Sequence, residues 1–150
     1  MQKIYLDACI YYNLWKNEVI RKVIPAGLYA ELLFEKIEKE DFVLVVSDFL
    51  VKLIDYNNTL FGELLKEIIS KYKKYDKLEI VYFDETISKN ANQLLQKYKN
   101  KYTKVDWEDL VKFLLAQKAE AVLVTRDEEL LALANEEGVK AVYPDDIVKS

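Results

Sequence analysis

Short runs of β-favouring apolar residues alternate along this chain with longer segments whose apolar positions recur every three or four residues. Lys3-Ile4-Tyr5-Leu6 is a short run ending at Asp7, and Phe42-Val43-Leu44-Val45-Val46, ending at Ser47, is a stronger one. Both predict buried strands. Between them Ile24, Leu28, Leu32, Phe34 and Ile37 keep mostly helical spacing, and Pro25 sits near the start, where a helix tolerates it; the pattern predicts a crossover helix over 23–38. From Asp48 to about Tyr72 the helical period continues through Leu50, Ile54, Leu64 and Ile68, with Asn57-Asn58 as a break, so two helices or one kinked helix are expected. Leu78 to Phe83 predicts a third strand, followed by a helix from Thr86 to about Tyr98 for which Asp84 is a candidate cap.

The next helix should begin near Asp106, with Asp106, Glu108 and Asp109 crowding a first turn that favours acidic residues and Leu110 to Ala116 as its apolar body. Ala121 to Thr125 predicts a fourth strand, Asp127 to Asn135 a helix ended by Gly138, and Val139 to Tyr143 a fifth strand stopped by Pro144. Strands separated by helices of this length imply right-handed crossovers and a mainly parallel sheet covered on both faces, a doubly wound α/β sandwich. In such sheets ligands bind outside the carboxyl ends of the strands, where the strand order reverses. Asp7, Ser47, Asp84, Thr125 and Asp127 are expected along that edge.

Composition narrows the chemistry. The 150 residues suit one domain, and the absence of histidine removes Ser-His-Asp and Cys-His nucleophiles, His-ligated zinc and imidazole proton shuttles. Cys9 is the only cysteine, so the chain forms no internal disulfide or thiolate zinc site. What remains are carboxylates, which suit Mg²⁺ or Mn²⁺. No apolar run approaches a membrane span and no apolar leader opens the chain, so a cytoplasmic location is expected. A net charge of −4 opposes nucleic-acid binding through bulk charge but leaves room for a local basic strip.

Asp7 and Asp127 each follow a strand directly. Each is either a helix cap or a metal ligand, and together they favour a metal site if the strand order sets them side by side. Asp106 and Asp109 share a helix face and could add a third carboxylate, or serve only the helix dipole. Lysines interleave with Tyr72 and Tyr75 over 71–77, and with Tyr98 and Tyr102 over 97–104; these stretches are either phosphate-and-base contact strips or solvated helix ends.

Lys3 to Asp7, Val45-Val46-Ser47, the acidic stretch Asp106 to Asp109, Val122 to Asp127 and the terminal Gly138 to Pro144, in this order and spacing, resemble a PIN domain of the VapC-toxin type over nearly the whole chain. The resemblance implies a three-layer α/β/α sandwich with a five-stranded sheet of order 3-2-1-4-5, and an Mg²⁺- or Mn²⁺-dependent endoribonuclease that acts on RNA, pairs with a small antitoxin and forms a homodimer. On this resemblance Asp7 and Asp127 are metal ligands, Asp109 or Asp106 supplies a third carboxylate, and Thr125 orients the Asp127 side of the site. Leu53 stands where such domains usually place a glutamate, with Lys52 and Asp55 nearby, and Cys9 stands where they often have asparagine. Two other readings stay open: a PIN-like domain without turnover that binds RNA or protein, and a phosphoacceptor domain with Asp84 and Thr125 at strand ends. The latter lacks an acidic pair after strand one, and Tyr143 stands where a lysine should precede Pro144.

Overall fold

A computed structural model describes residues 2–20 and 25–149, so the expected helical positions Val23 and Ile24 lie outside the described residues. Five strands, β1 (Gln2–Leu6), β2 (Phe42–Ser47), β3 (Leu78–Val81), β4 (Val122–Val124) and β5 (Ala141–Val142), form one sheet in the order β3-β2-β1-β4-β5. All four pairings are parallel, with Tyr5 opposite both Val45 and Leu123. The period-2 pleat sends alternate strand residues to opposite faces. Tyr5, Val45, Leu123 and Ala141 enter one core; Ile4, Leu6, Leu44, Val46, Val122 and Val124 enter the other.

Helices cover both faces. The second core is closed by α1 (Ala8–Ile20), α2 (Pro25–Lys39), α3 (Asp48–Asn57), α4 (Thr59–Lys74) and α8 (Pro144–Val148), and the first by α5 (Glu85–Tyr98), α6 (Trp107–Lys118) and α7 (Glu128–Glu136). This is the three-layer sandwich and strand order that the sequence pattern and the resemblance implied. Asn57-Asn58 separates two helices: Asn58 closes α3 through its N–H to the Ile54 carbonyl and opens α4 by accepting from the Phe61 N–H. Gly62 follows because a Cβ there would stand 2.9 Å from the Asp55 backbone.

Three features depart from expectation. Helix α1 was not foreseen; its buried Ile10, Tyr11 and Trp15 sit among aromatic and β-favouring residues that hide the helical period. The terminal α8 was also missed, where Pro144 takes the first helical position and the Tyr143 N–H donates to Asp146 Oδ2 (3.2 Å). Strands three, four and five are shorter than their apolar runs, at 4, 3 and 2 residues, because the chain leaves the ladder early at their ends.

Strand order reverses around β1 and β4, whose carboxyl ends lie side by side: the Asp7 N–H donates to the Val124 carbonyl (2.9 Å). That places the residues after β1 and those after β4 in one crevice.

Candidate functional site

Asp7 is the centre of this crevice. It is 4% exposed, and both of its carboxylate oxygens are engaged by the chain itself. Oδ1 accepts from the Ala8 N–H at 2.7 Å and from the Lys112 ammonium at 2.6 Å, while Oδ2 accepts from the Thr125 hydroxyl at 2.7 Å. The Cys9 thiol lies 3.8 Å from Oδ2; burial, with Asp7 adding, pushes that thiol up to about 12, so it is no nucleophile at neutral pH.

Lys112 comes from the second turn of α6 and is 7% exposed, an uncommon placement for a lysine. Its Nζ also stands 3.4 Å from Asp109 Oδ1, one helical turn before it. Burial works against its charge, but the Asp7 carboxylate and its hydrogen bond, with Asp109, outweigh burial and hold the ammonium above the ordinary lysine range. Asp109 is pushed the other way: burial raises its carboxyl to about 6 against the pull of Lys112. Asp109 also closes a capping box, in which Asp106 Oδ1 accepts from the Asp109 N–H (2.9 Å) and Asp109 Oδ2 from the Asp106 N–H (3.1 Å).

From β4, Thr125 is fully buried, and its hydroxyl bridges the two strand ends by donating to Asp7 and accepting from the Asp127 N–H (3.1 Å). Asp127 caps α7, its Oδ1 accepting from the Glu129 and Leu130 N–H groups (3.0 and 3.2 Å). Arg126 reaches sideways to Asn13 and Asp145. Ser47, at the end of β2, caps α3 and shares a 2.7 Å hydrogen bond with the Tyr5 hydroxyl, and Asp48 accepts from the Phe49 and Phe83 N–H groups.

The structure thus brings Asp7 and Asp109 together around Lys112 with Thr125 on the other side of Asp7; Asp127 joins them only through its N–H to the Thr125 hydroxyl, its carboxylate turned to the start of α7, and Asp106 caps α6. Asp84 does not join them: it caps α5 and pairs with Lys118, well beyond Lys112 along α6. Leu53 is partly buried on α3, and Asp55 lies against Gly62, so neither fills the place of a fourth carboxylate. Lysines of the two basic strips pair within the chain: Lys71 with Glu38, Lys97 with Glu137, Lys101 with Glu136, and Lys77 with the last carbonyls of the α2 segment. Lys112 is the site residue that sequence reading passed over. Its signal was a single cation inside an apolar helix body, three residues after Asp109.

A resident Mg²⁺ or Mn²⁺ would need several oxygens open to it. Here both oxygens of Asp7 are engaged by four of the chain's own donors, one of them a cation; Asp127 Oδ1 is spent on a cap, and Leu53 contributes no oxygen. Among the described residues no group of three or more Cys, Asp or Glu side chains is disposed to hold a metal ion. As folded, the donor set does not fit a divalent ion.

No family model matches this sequence and no curated protein does. Solved structures do. VapBC2 from Rickettsia felis, bound to a DNA fragment from its promoter, superimposes with a TM-score of 0.64 at 16% identity, covering 95% of this chain and 98% of that one. VapBC-1 from nontypeable Haemophilus influenzae gives 0.63 at 15% identity, covering 97% and 99%. FitAcB from Neisseria gonorrhoeae gives 0.57 at 18% identity, covering 94% and 97%. Identities this low speak to architecture, and with the strand order they establish that the chain has the PIN-like fold of these toxin-antitoxin proteins.

Proposed function

We propose that this chain is a PIN-fold protein-binding module of the toxin-antitoxin kind that does not cleave nucleic acid. One observation carries this reading: both oxygens of the carboxylate at the centre of the crevice are engaged by the chain's own donors, an ammonium and a peptide N–H on one and a hydroxyl and a thiol on the other. Orienting water on a phosphate through a metal needs that carboxylate free. The surface around the crevice favours a basic protein segment over a phosphate backbone. Four helices, α3, α6, α7 and α8, begin at this edge with Asp48, Glu108, Asp109, Glu128, Glu129, Asp145 and Asp146 in their first turns. Two of its cations, Lys112 and Arg126, are held by acidic partners of the same chain, and a third, Lys104, stands beside Glu129. Such an edge repels RNA and attracts a partner rich in Arg and Lys.

A second reading has its own support. Asp7, Asp109 and Asp127 converge with Thr125 at the edge where metal-dependent ribonucleases of this fold would act, so an Mg²⁺- or Mn²⁺-dependent endoribonuclease would form if Lys112 withdrew. Homodimer formation goes with either reading through the resemblance. Structured RNAs incubated with the purified chain in Mg²⁺, Mn²⁺ or EDTA, beside Asp7→Asn and Asp127→Asn, separate the two. The binding-module reading expects no metal-dependent cleavage above the variants, and an arginine-rich peptide probe that binds and is released by Glu108→Lys with Glu128→Lys. Cleavage that needs the metal and vanishes in both Asp variants would establish the nuclease instead.

A further inference from the structure

Lys112 raises a question that the binding-module reading leaves open: why a compact core keeps a lysine among carboxylates. A buried ammonium is costly unless it is paired and hydrogen-bonded, and a core rarely accepts one where an apolar side chain would pack. Here the surroundings are built for a cation. Asp7 Oδ1 lies 2.6 Å from Nζ and Asp109 Oδ1 3.4 Å, and the two residues come from different elements, 102 positions apart in sequence (109 − 7), so the pair is assembled by the fold and not by local sequence. Thr125 donates to the other oxygen of Asp7, which leaves Oδ1 facing Lys112. The neighbouring acids, Asp106 on α6 and Asp127 on α7, are turned to backbone N–H groups, and the nearest basic side chain on the β4 side, Arg126, is held by Asn13 and Asp145.

We propose that Lys112 is a tethered cation: its ammonium takes the position between Asp7 and Asp109 that a free cation would fill, and thereby makes the site independent of metal. The inference rests on the functional reading above and goes beyond it, because it assigns the role to the charge at one atom and not to the lysine stem. It follows that deleting the side chain opens a small anionic cavity with affinity for free cations of two kinds, a divalent metal or an alkylammonium that replaces the lost tip.

The test compares the native chain, Lys112→Ala and the double variant Asp7→Asn/Lys112→Ala. Melting is followed with MnCl₂, ethylammonium chloride, or NaCl at matched ionic strength, and bound Mn²⁺ is counted by electron paramagnetic resonance. The native chain is expected to bind no Mn²⁺ in the crevice and to melt at the same temperature in all three salts. Lys112→Ala is expected to melt lower and to regain about 5–10 °C with saturating Mn²⁺ or ethylammonium but not with NaCl. The double variant should respond to neither. If Lys112→Ala does not fold in NaCl, its refolding in MnCl₂ or ethylammonium chloride, set against that of the double variant in the same salts, gives the same readout. A Lys112→Ala chain that ignores both cations, folded or refolding, would overturn the role of Lys112 while leaving the binding-module reading intact. One Mn²⁺ bound by the native chain and lost in Asp7→Asn would overturn the tethered cation directly, and metal-dependent cleavage by the native chain would overturn the functional reading itself.

Discussion

Lysine meets carboxylate in two contrasting places in this molecule. Between α5 and the end of α7, Lys97 pairs with Glu137 and Lys101 with Glu136, with lysine side chains 60% and 58% exposed; each ammonium also lies over a tyrosine ring. Between α6 and β1, Lys112 pairs with Asp7, their side chains 8% and 6% exposed. The chemistry is the same, but the solvent is not. Exposed pairs exchange one set of water contacts for another and are screened by salt. In the crevice neither partner can turn to water, so each depends on the other being present and charged. The fold uses the first kind to decorate helix ends and the second to tie the end of β1 to α6.

The largest expected effect comes from stranding a charge in the crevice. Lys112→Met should cost about 3–5 kcal/mol of stability in urea unfolding, because Asp7 is left buried and unpaired. The double variant Asp7→Asn/Lys112→Met should recover much of that loss. A double variant as unstable as the single one would mean that packing, not charge, sets the cost.

Next is a pH effect from Asp109. Its carboxyl is raised from 3.8 to about 6 by burial, so between those values the folded chain holds more protons than the unfolded one, and this group's contribution to stability falls as pH rises through the window. Asp109→Asn can still accept from the Asp106 N–H. Relative to the native chain it should therefore gain stability as pH rises from about 4 to about 6, and the gain should level off above that range. A pH-independent difference would show that Asp109 ionises as freely in the folded chain as in the unfolded one.

Smaller still is the cap on α7. Asp127→Ala removes an acceptor for two N–H groups and should cost about 1 kcal/mol, with Asp127→Asn costing less, because the amide oxygen still caps. At the exposed pairs, Lys97→Ala and Lys101→Ala should leave the urea midpoint within error of native, and any small difference seen at low salt should vanish as salt is added. A loss comparable to that of Lys112→Met would erase the contrast between the two places.

How far the sequence could be read follows the same division between local and assembled features. Strands β1, β2 and β4 were legible because apolar runs stop abruptly at Asp7, Ser47 and Thr125, and the cap Asp84 was legible from its place before an apolar period, whereas Asp106, read as a first-turn acid or third carboxylate, proves to be the cap of α6. Helix α1 was not, because Tyr11, Tyr12 and Trp15 are buried or half-buried around it and leave no clean polar stripe. Asp7, Asp109, Thr125 and Asp127 were named from strand ends and from the resemblance, and the strand order brings them together. Lys112 was invisible because nothing local distinguishes a lysine that snorkels to solvent from one that turns inward to a carboxylate on another element. Only the parallel pairing of β1 with β4, and the packing of α6 beside them, decides that.

Direct observation of the Lys112 ammonium by nitrogen-detected magnetic resonance tests the account most closely. A slowly exchanging ammonium signal at neutral pH, lost or shifted in Asp7→Asn and unmoved by Mg²⁺, is the predicted result. An ammonium exchanging as fast as those of the surface lysines, or one released when Mg²⁺ is added, would contradict it and return the crevice to the metal.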